Sequence, residues 1–221
     1  MAALLQRAAA GIVTLSRFPA VRVSTLMDRE HELQLVRGVR TGDPAAFDAV
    51  YEAFNTRLYN FLARLAGSRD VADDLLEETW LRLVTHAHRL QPDTRLGPWL
   101  FTVARHLHVS YRRSRILEDS HAAGLLGLWP SGSTRPSPLE AAEANEAERR
   151  IATGLASLPA RYREALLLVA VEGLRPAEAA EICGVTAEAM RQRLSRARAS
   201  LARRLAEGES PGLASLKEVT L

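Results

Sequence analysis

The chain has 221 residues, 47% hydrophobic and 25% charged, enough for one large or two small domains and too apolar for wholesale disorder. Aromatics make up only 5% and strand-type alternation is rare among the Ala, Leu, Arg and Glu, which excludes a β-sandwich or barrel and predicts an all-α protein. The formal charge of +3 conceals a division: residues 28–115 hold 13 basic and 12 acidic side chains, 116–148 hold one and six, and 149–206 hold eleven and five. A neutral block, an acidic connector and a basic block in that order suit a nucleic-acid-binding module tethered to a second unit.

In chain order, residues 1–27 form an Arg-bearing, acid-free N-terminal extension, read as a disordered arm or a misassigned start because Met27 followed by Asp28-Arg-Glu-His-Glu is a plausible true beginning. No run approaches the ~20 apolar residues of a membrane span, so the expectation is a soluble, cytoplasmic protein without membrane insertion. Apolar residues recur at helical steps from Leu33 to Val39 and again from Phe47 to Leu65, interrupted by Thr41-Gly-Asp-Pro44, which predicts two amphipathic helices. Gly67-Ser-Arg-Asp70 breaks the pattern before a third helix with Asp70 as candidate cap and Val71, Leu75, Leu76, Trp80, Leu83 and Val84 inward. A fourth helix follows Gly97-Pro98 and runs to Arg115. Pro130, Pro136 and Pro138 mark residues 116–142 as a flexible linker in which no helix persists.

Beyond the linker, a domain spanning 143–206 is predicted with helices from about Glu140 to Leu155, Arg161 to Val171, Pro176 to Ile182 and Ala187 to Ala206, followed by a short tail at 207–221. The short helix, the turn Cys183-Gly-Val and the longer basic helix capped by Thr186 form a helix-turn-helix. The last helix carries Arg191, Arg193, Arg196, Arg198, Arg203 and Arg204 and no acid from Ala189 to Ala206, with Met190, Leu194, Ala197, Leu201 and Leu205 inward. Guanidinium groups contact phosphates and grip guanine edges through paired hydrogen bonds, so this helix is expected to read DNA.

The third helix carries Asp73, Asp74, Glu77 and Glu78 in two pairs one turn apart, which suits helix-dipole compensation or an ordinary wet face. His86/His88 and His106/His108 are two apart and point to different sides of a helix, and the lone Cys183 reads as a small buried hydrophobe, so no metal site, disulfide or cofactor is expected. No phosphate loop, nucleophile elbow or other catalytic constellation is present in the sequence, and the reading is not an enzyme. Trp99, Phe101 and Tyr111 accompany Arg105, Arg112, Arg113 and Arg115 on the fourth helix, a combination that can stack single-stranded bases, although spacing alone favours the core for Trp99 and Phe101.

The runs Ala46-Phe-Asp-Ala-Val-Tyr51, Val71-Ala-Asp-Asp-Leu-Leu-Glu-Glu-Thr-Trp80 and Trp99-Leu-Phe-Thr-Val-Ala-Arg105 resemble region 2 of extracytoplasmic-function (ECF) sigma factors of the sigma-70 family. Leu158-Pro-Ala-Arg-Tyr-Arg-Glu-Ala-Leu-Leu-Leu168, Glu172-Gly-Leu174 and Ala179-Ala-Glu-Ile-Cys-Gly-Val185, continuing to Arg191-Gln-Arg-Leu-Ser-Arg-Ala-Arg198, resemble region 4. The resemblance implies a subunit that binds bacterial RNA polymerase core enzyme and directs promoter recognition and melting, under control of an anti-sigma factor. It implies core docking through Asp73, Asp74, Leu76, Glu77, Glu78 and Trp80, and minus 10 recognition and melting through Trp99, Arg105, His106, Arg112 and Arg113. Minus 35 reading falls to Arg191, Gln192, Ser195 and Arg196, with Arg193 and Arg198 on phosphates or packing edges. Three departures from the family pattern stand out: Arg175-Pro176 in place of Ser and an aromatic, His106 in place of Asn, and Glu77 in place of Gln. A stand-alone helix-turn-helix regulator, with residues 28–115 as sensor or dimerisation domain, is the alternative.

Overall fold

The computed structural model describes residues 28–123 and 146–207; the expectations for 1–27, for most of the linker and for nearly all of the tail lie outside them. The described residues fold as helices: α1 Arg29–Thr41, α2 Pro44–Ala66, α3 Arg69–His86, α4 Leu96–Ala123, α5 Glu146–Ala156, α6 Ala160–Leu166, α7 Pro176–Cys183 and α8 Ala187–Glu207.

In the first bundle, Asp43 caps α2 by accepting the Ala45 N–H at 3.0 Å, and Pro44 occupies the first turn, where its missing donor costs nothing. α2 is the central member, burying Phe47, Val50, Phe54, Leu58, Phe61 and Leu62 against the other three helices. Phe61 and Phe101 meet edge to face with centroids 5.2 Å apart, and the indole N–H of Trp80 donates to buried Asn55 at 3.0 Å. Buried Glu32 fastens α1 to the start of α4: it accepts the Leu96 N–H at 2.8 Å and pairs with Arg29 at 2.6 Å. α1 and α2 also approach closely at Gly38, where a Cβ would stand 2.4 Å from that of Ala46.

Ser68, rather than Asp70, occupies the cap position of α3, and Asp70 lies in its first turn, where its charge still opposes the helix dipole. α4 continues past Arg115 to Ala123, so the first eight residues of the expected linker are helical; the prolines begin only at Pro130.

The second unit is built from shorter helices around an aliphatic core of Leu158, Leu166, Leu167, Leu168, Ile182, Met190 and Leu194. After α6 the helix widens into one π turn, Leu167–Val171, and Glu172 follows as its cap. Arg175 stands at the cap position of α7 in place of a hydroxyl residue; Glu178 closes back instead, accepting the Arg175 N–H at 2.8 Å and its guanidinium at 3.0 Å. Gly184 ends α7 at φ 63°, the left-handed conformation that the tight turn into α8 requires. Cys183 is buried beside this turn, and burial pushes its thiol up to about 11.

Candidate nucleic-acid interface

Thr186 caps α8 by accepting the Ala189 N–H at 3.1 Å, as the sequence predicts. Met190, Leu194 and Ala197 face inward, which turns Arg191, Gln192, Ser195, Arg196 and Arg198 out to solvent; Arg193 is half-buried at the edge. Helical spacing puts Glu188, Arg191, Gln192 and Ser195 on one stripe. Glu188 accepts from Arg191 Nε at 3.1 Å and Nη2 at 2.5 Å, and from Gln192 Nε2 at 3.4 Å. Tyr162 on α6 is a support that sequence reasoning missed: hydrogen bonds from Arg161 and Arg196 hold its phenol below the usual range, and the Arg161 guanidinium lies 4.9 Å from its ring centroid.

On α4, Phe101 is fully buried, while Trp99 is half-buried and lines a cavity of about 340 Å³ with Thr102 and, from α7, Glu181 and Ile182. His106, Arg112 and Arg113 are exposed; Arg105 is turned into the molecule, its Nε 3.3 Å from Glu164 Oε2. Buried His108 lies below this surface with no hydrogen-bond partner for either ring nitrogen, and burial, then Arg112, Arg163 and Arg105, lower its pKa to about 4.

On α3, Asp74 and Glu77 are exposed and Asp73 and Glu78 half-exposed. Partial burial and then the neighbouring Asp70 and Asp74 raise the Asp73 pKa. Leu76 and Trp80 lie in the core, at 6% and 3% exposure, so any contribution they make to this face is from beneath. Leu81, unremarked in the sequence, is an exposed apolar residue one turn on from the acids.

Three ion pairs of one polarity link the two units. Arg57 Nε meets Glu172 at 3.0 Å and its Nη2 donates to the Glu172 carbonyl at 2.9 Å; Arg95 pairs with Glu178, and Arg105 with Glu164. All three arginines belong to the first bundle and all three buried acids to the second. Arg163 reaches the opposite way, donating to the carbonyls of Arg64 and Leu65 at the end of α2, each at 3.4 Å. The sequence signal was an acid beside apolar residues in an otherwise basic block, as in Arg-Glu-Ala-Leu around Glu164.

A helical bundle bearing an acidic helix and a basic one, joined to a helix-turn-helix unit with an exposed basic second helix, defines a two-part DNA-binding transcription protein. Two family models match it: sigma-70 region 2 over residues 50–116 and sigma-70 region 4 over 148–201. The chain is 37% identical over 141 residues to the ECF RNA polymerase sigma factor EcfG of Rhodopseudomonas palustris, covering 64% of this chain and 75% of the relative. It is 32% identical over 155 residues to the ECF RNA polymerase sigma factor SigM of Bacillus subtilis, covering 70% and 91%. Among solved structures it resembles the sigma factor RpoE of Bartonella quintana, crystallised with the anti-sigma factor NepR, at 26% identity and a TM-score of 0.60 over 72% of this chain and 96% of that one. CnrH, solved with the cytosolic domain of CnrY, shares the fold at 22% identity and a TM-score of 0.60, over 81% of this chain and 99% of the other. The chain belongs to the ECF family of RNA polymerase sigma factors, which bind the core enzyme and direct promoter recognition and opening. No helix among the described residues is long and apolar enough to cross a membrane.

Proposed function

We propose that the sigma function is divided between residues 28–115 as region 2 and 143–206 as region 4, with 116–142 as the connection. Exposed Asp74 and Glu77, with Asp73 and Glu78 beside them and Leu76 and Trp80 bracing the helix from the core, dock on the polymerase core. Trp99, Arg105, His106, Arg112 and Arg113 engage the minus 10 element, where trapping an unstacked base takes an aromatic surface and cations. Arg191, Gln192, Ser195 and Arg196 read the minus 35 element, flanked by Arg193 and Arg198 on phosphates or packing edges. The chain carries no catalytic activity of its own, acts in the cytoplasm where its polymerase is, and is restrained by an anti-sigma factor, as RpoE of B. quintana is found with NepR.

The observation that carries this reading is the exposure of Arg191, Gln192, Ser195 and Arg196 together on the side of α8 opposite its buried stripe. Arg105 is turned toward Glu164 here, so presenting its guanidinium to a nucleotide takes a rotation of the side chain outward from that carboxylate.

The test pairs two variants on the full chain. Asp74→Lys with Glu78→Lys weakens anisotropy-detected binding to core enzyme, in competition with a housekeeping sigma factor. Arg191→Ala with Arg196→Ala leaves that binding intact and removes ~1–3 kcal/mol of minus 35 discrimination per lost paired contact. Wild-type protein that binds a duplex operator tightly without core enzyme, and shows no saturable core binding, would instead be the stand-alone regulator.

A further inference from the structure

The basic reading helix contains an acid at its head. Between Ala187 and Ala206 the one carboxylate is Glu188, and it opens the stripe that continues through Arg191, Gln192 and Ser195. Its side chain is 61% exposed and that of Arg191 62%, so packing does not hold either in place; their mutual contacts do. Oε2 takes both Nε and Nη2 of Arg191, and Oε1 takes the Gln192 amide. One carboxylate thus restrains the two leading side chains of the stripe.

An exposed pair of this kind adds little to stability, because water solvates both charges well. Its electrostatic effect on DNA binding is unfavourable, since a carboxylate facing a polyanion is repelled and cancels one of the charges that release counterions. The remaining gain is selectivity. A free arginine at a groove edge has two destinations, a base edge or a nearby phosphate, and the second carries no sequence information. Arg191 held along its Nε–Nη2 side keeps three of its five N–H donors, at the far end of the fork, for the paired acceptors of a guanine. Gln192 held through its amide nitrogen keeps its carbonyl and one N–H for an adenine edge.

We propose that Glu188 is a specificity-determining positioning residue of the minus 35 reader: it fixes Arg191 and Gln192 in base-facing conformations and withholds them from phosphates. Overall affinity is lower for it and discrimination between bases higher. The proposal rests on the reading that α8 enters the major groove.

The experiment assembles the full chain with core enzyme, selects bound duplexes from a library randomised over the upstream promoter element, and sequences them. Wild type, Arg191→Ala, Glu188→Gln and Glu188→Asp are compared. Asp keeps the negative charge at the helix N-terminus and loses the reach; Gln keeps the reach and loses the charge. Both Glu188 variants flatten base preference at the position that Arg191→Ala identifies, by ~5-fold or more, and at the adjoining position read by Gln192, while positions read by neither residue persist. Glu188→Gln also binds mismatched duplexes more tightly and steepens the dependence on log salt by about 1. If Arg191→Ala flattens the motif and neither Glu188 variant does, or if Glu188→Asp restores it fully, Glu188 acts only as a helix-end charge and the proposal is overturned. If wild type selects no upstream motif, or Arg191→Ala leaves it unchanged, the groove reading of α8 itself fails and takes this proposal with it.

Discussion

Arg105 on α4 lies against Glu164 with its side chain 18% exposed, whereas Arg191 on α8 is 62% exposed and meets Glu188 on its own helix. Both pairs join an arginine to a glutamate, one across 59 residues and one within a single helix turn, and they differ in what the acid can do when left alone. Glu164 is buried and would lose hydration without a partner; Glu188 is bathed in water and would not. Across the seam, therefore, arginines are held as counterions for buried acids, while on the reading helix they are held only in orientation. The exposed face of α8 is thus left open, while Arg105 of α4 is taken up by Glu164.

The largest test of this contrast removes one arginine from each setting. Glu172 is 4% exposed and burial raises its pKa against the opposing pull of Arg57. Arg57→Met removes the bonded partner of that carboxylate, leaving it only the charge of Arg64, and costs about 3 kcal/mol, some of it recovered when Glu172 takes up a proton. Arg191→Ala leaves Glu188 hydrated and stays within ~0.5 kcal/mol. Urea denaturation of the two variants measures both numbers, and equal losses would erase the distinction between seam and reader.

How much of this was legible beforehand follows the same line. The inward stripe of α8, its Thr186 cap and the outward Arg191, Gln192, Ser195 and Arg196 follow from a period of 3.6 residues and needed no tertiary information. Phe61 and Phe101 were readable as core for the same reason. Glu32, Glu164 and Glu172 were not: each is a charged residue in or at the end of a helix, where the sequence pattern expects solvent, and each is buried with a partner 59 to 115 residues away supplying a donor. Leu76 and Trp80 were readable as inward from their spacing, as they are found, although the family resemblance also put them among the docking residues; motif membership does not say which side of a helix a residue occupies. The wide π turn before Glu172 had no signal, because its extra residue is absorbed within a continuous apolar run, Leu166 to Val171.

pH provides the next test, through His108. The folded protein binds a proton there only near pH 4, because burial and the charges of Arg112, Arg163 and Arg105 oppose it, while the unfolded chain binds one near 6.5. Between those values the unfolded state holds more protons, so stability falls as pH drops from 6.5 toward 4, by ~2–3 kcal/mol in all. His108→Leu removes this slope. Glu172 works in the opposite sense: its raised pKa adds stability below its ordinary value that is lost as pH rises through the raised one. Denaturation midpoints at half-unit steps from pH 4 to 7 separate the two, and parallel curves for wild type and His108→Leu would remove His108 from the account.

The smallest effect concerns a third pair, Glu78–Arg82 on α3, 2.7 Å apart with side chains 36% and 51% exposed. By the logic of the reading helix it belongs with Glu188–Arg191: both members stay hydrated when separated, and the spacing of four residues suits a helix surface. Arg82→Ala therefore lowers stability by only ~0.3–0.5 kcal/mol. Unlike Arg57→Met, which strands a buried charge, it frees Glu78 and so adds to the acidic face. Core-enzyme titration of Arg82→Ala against wild type is expected to show unchanged or tighter binding. Weaker binding would mean that Arg82 orients Glu78 for the polymerase as Glu188 is proposed to orient Arg191, and would extend the positioning role of exposed pairs from the DNA side of the molecule to its polymerase side.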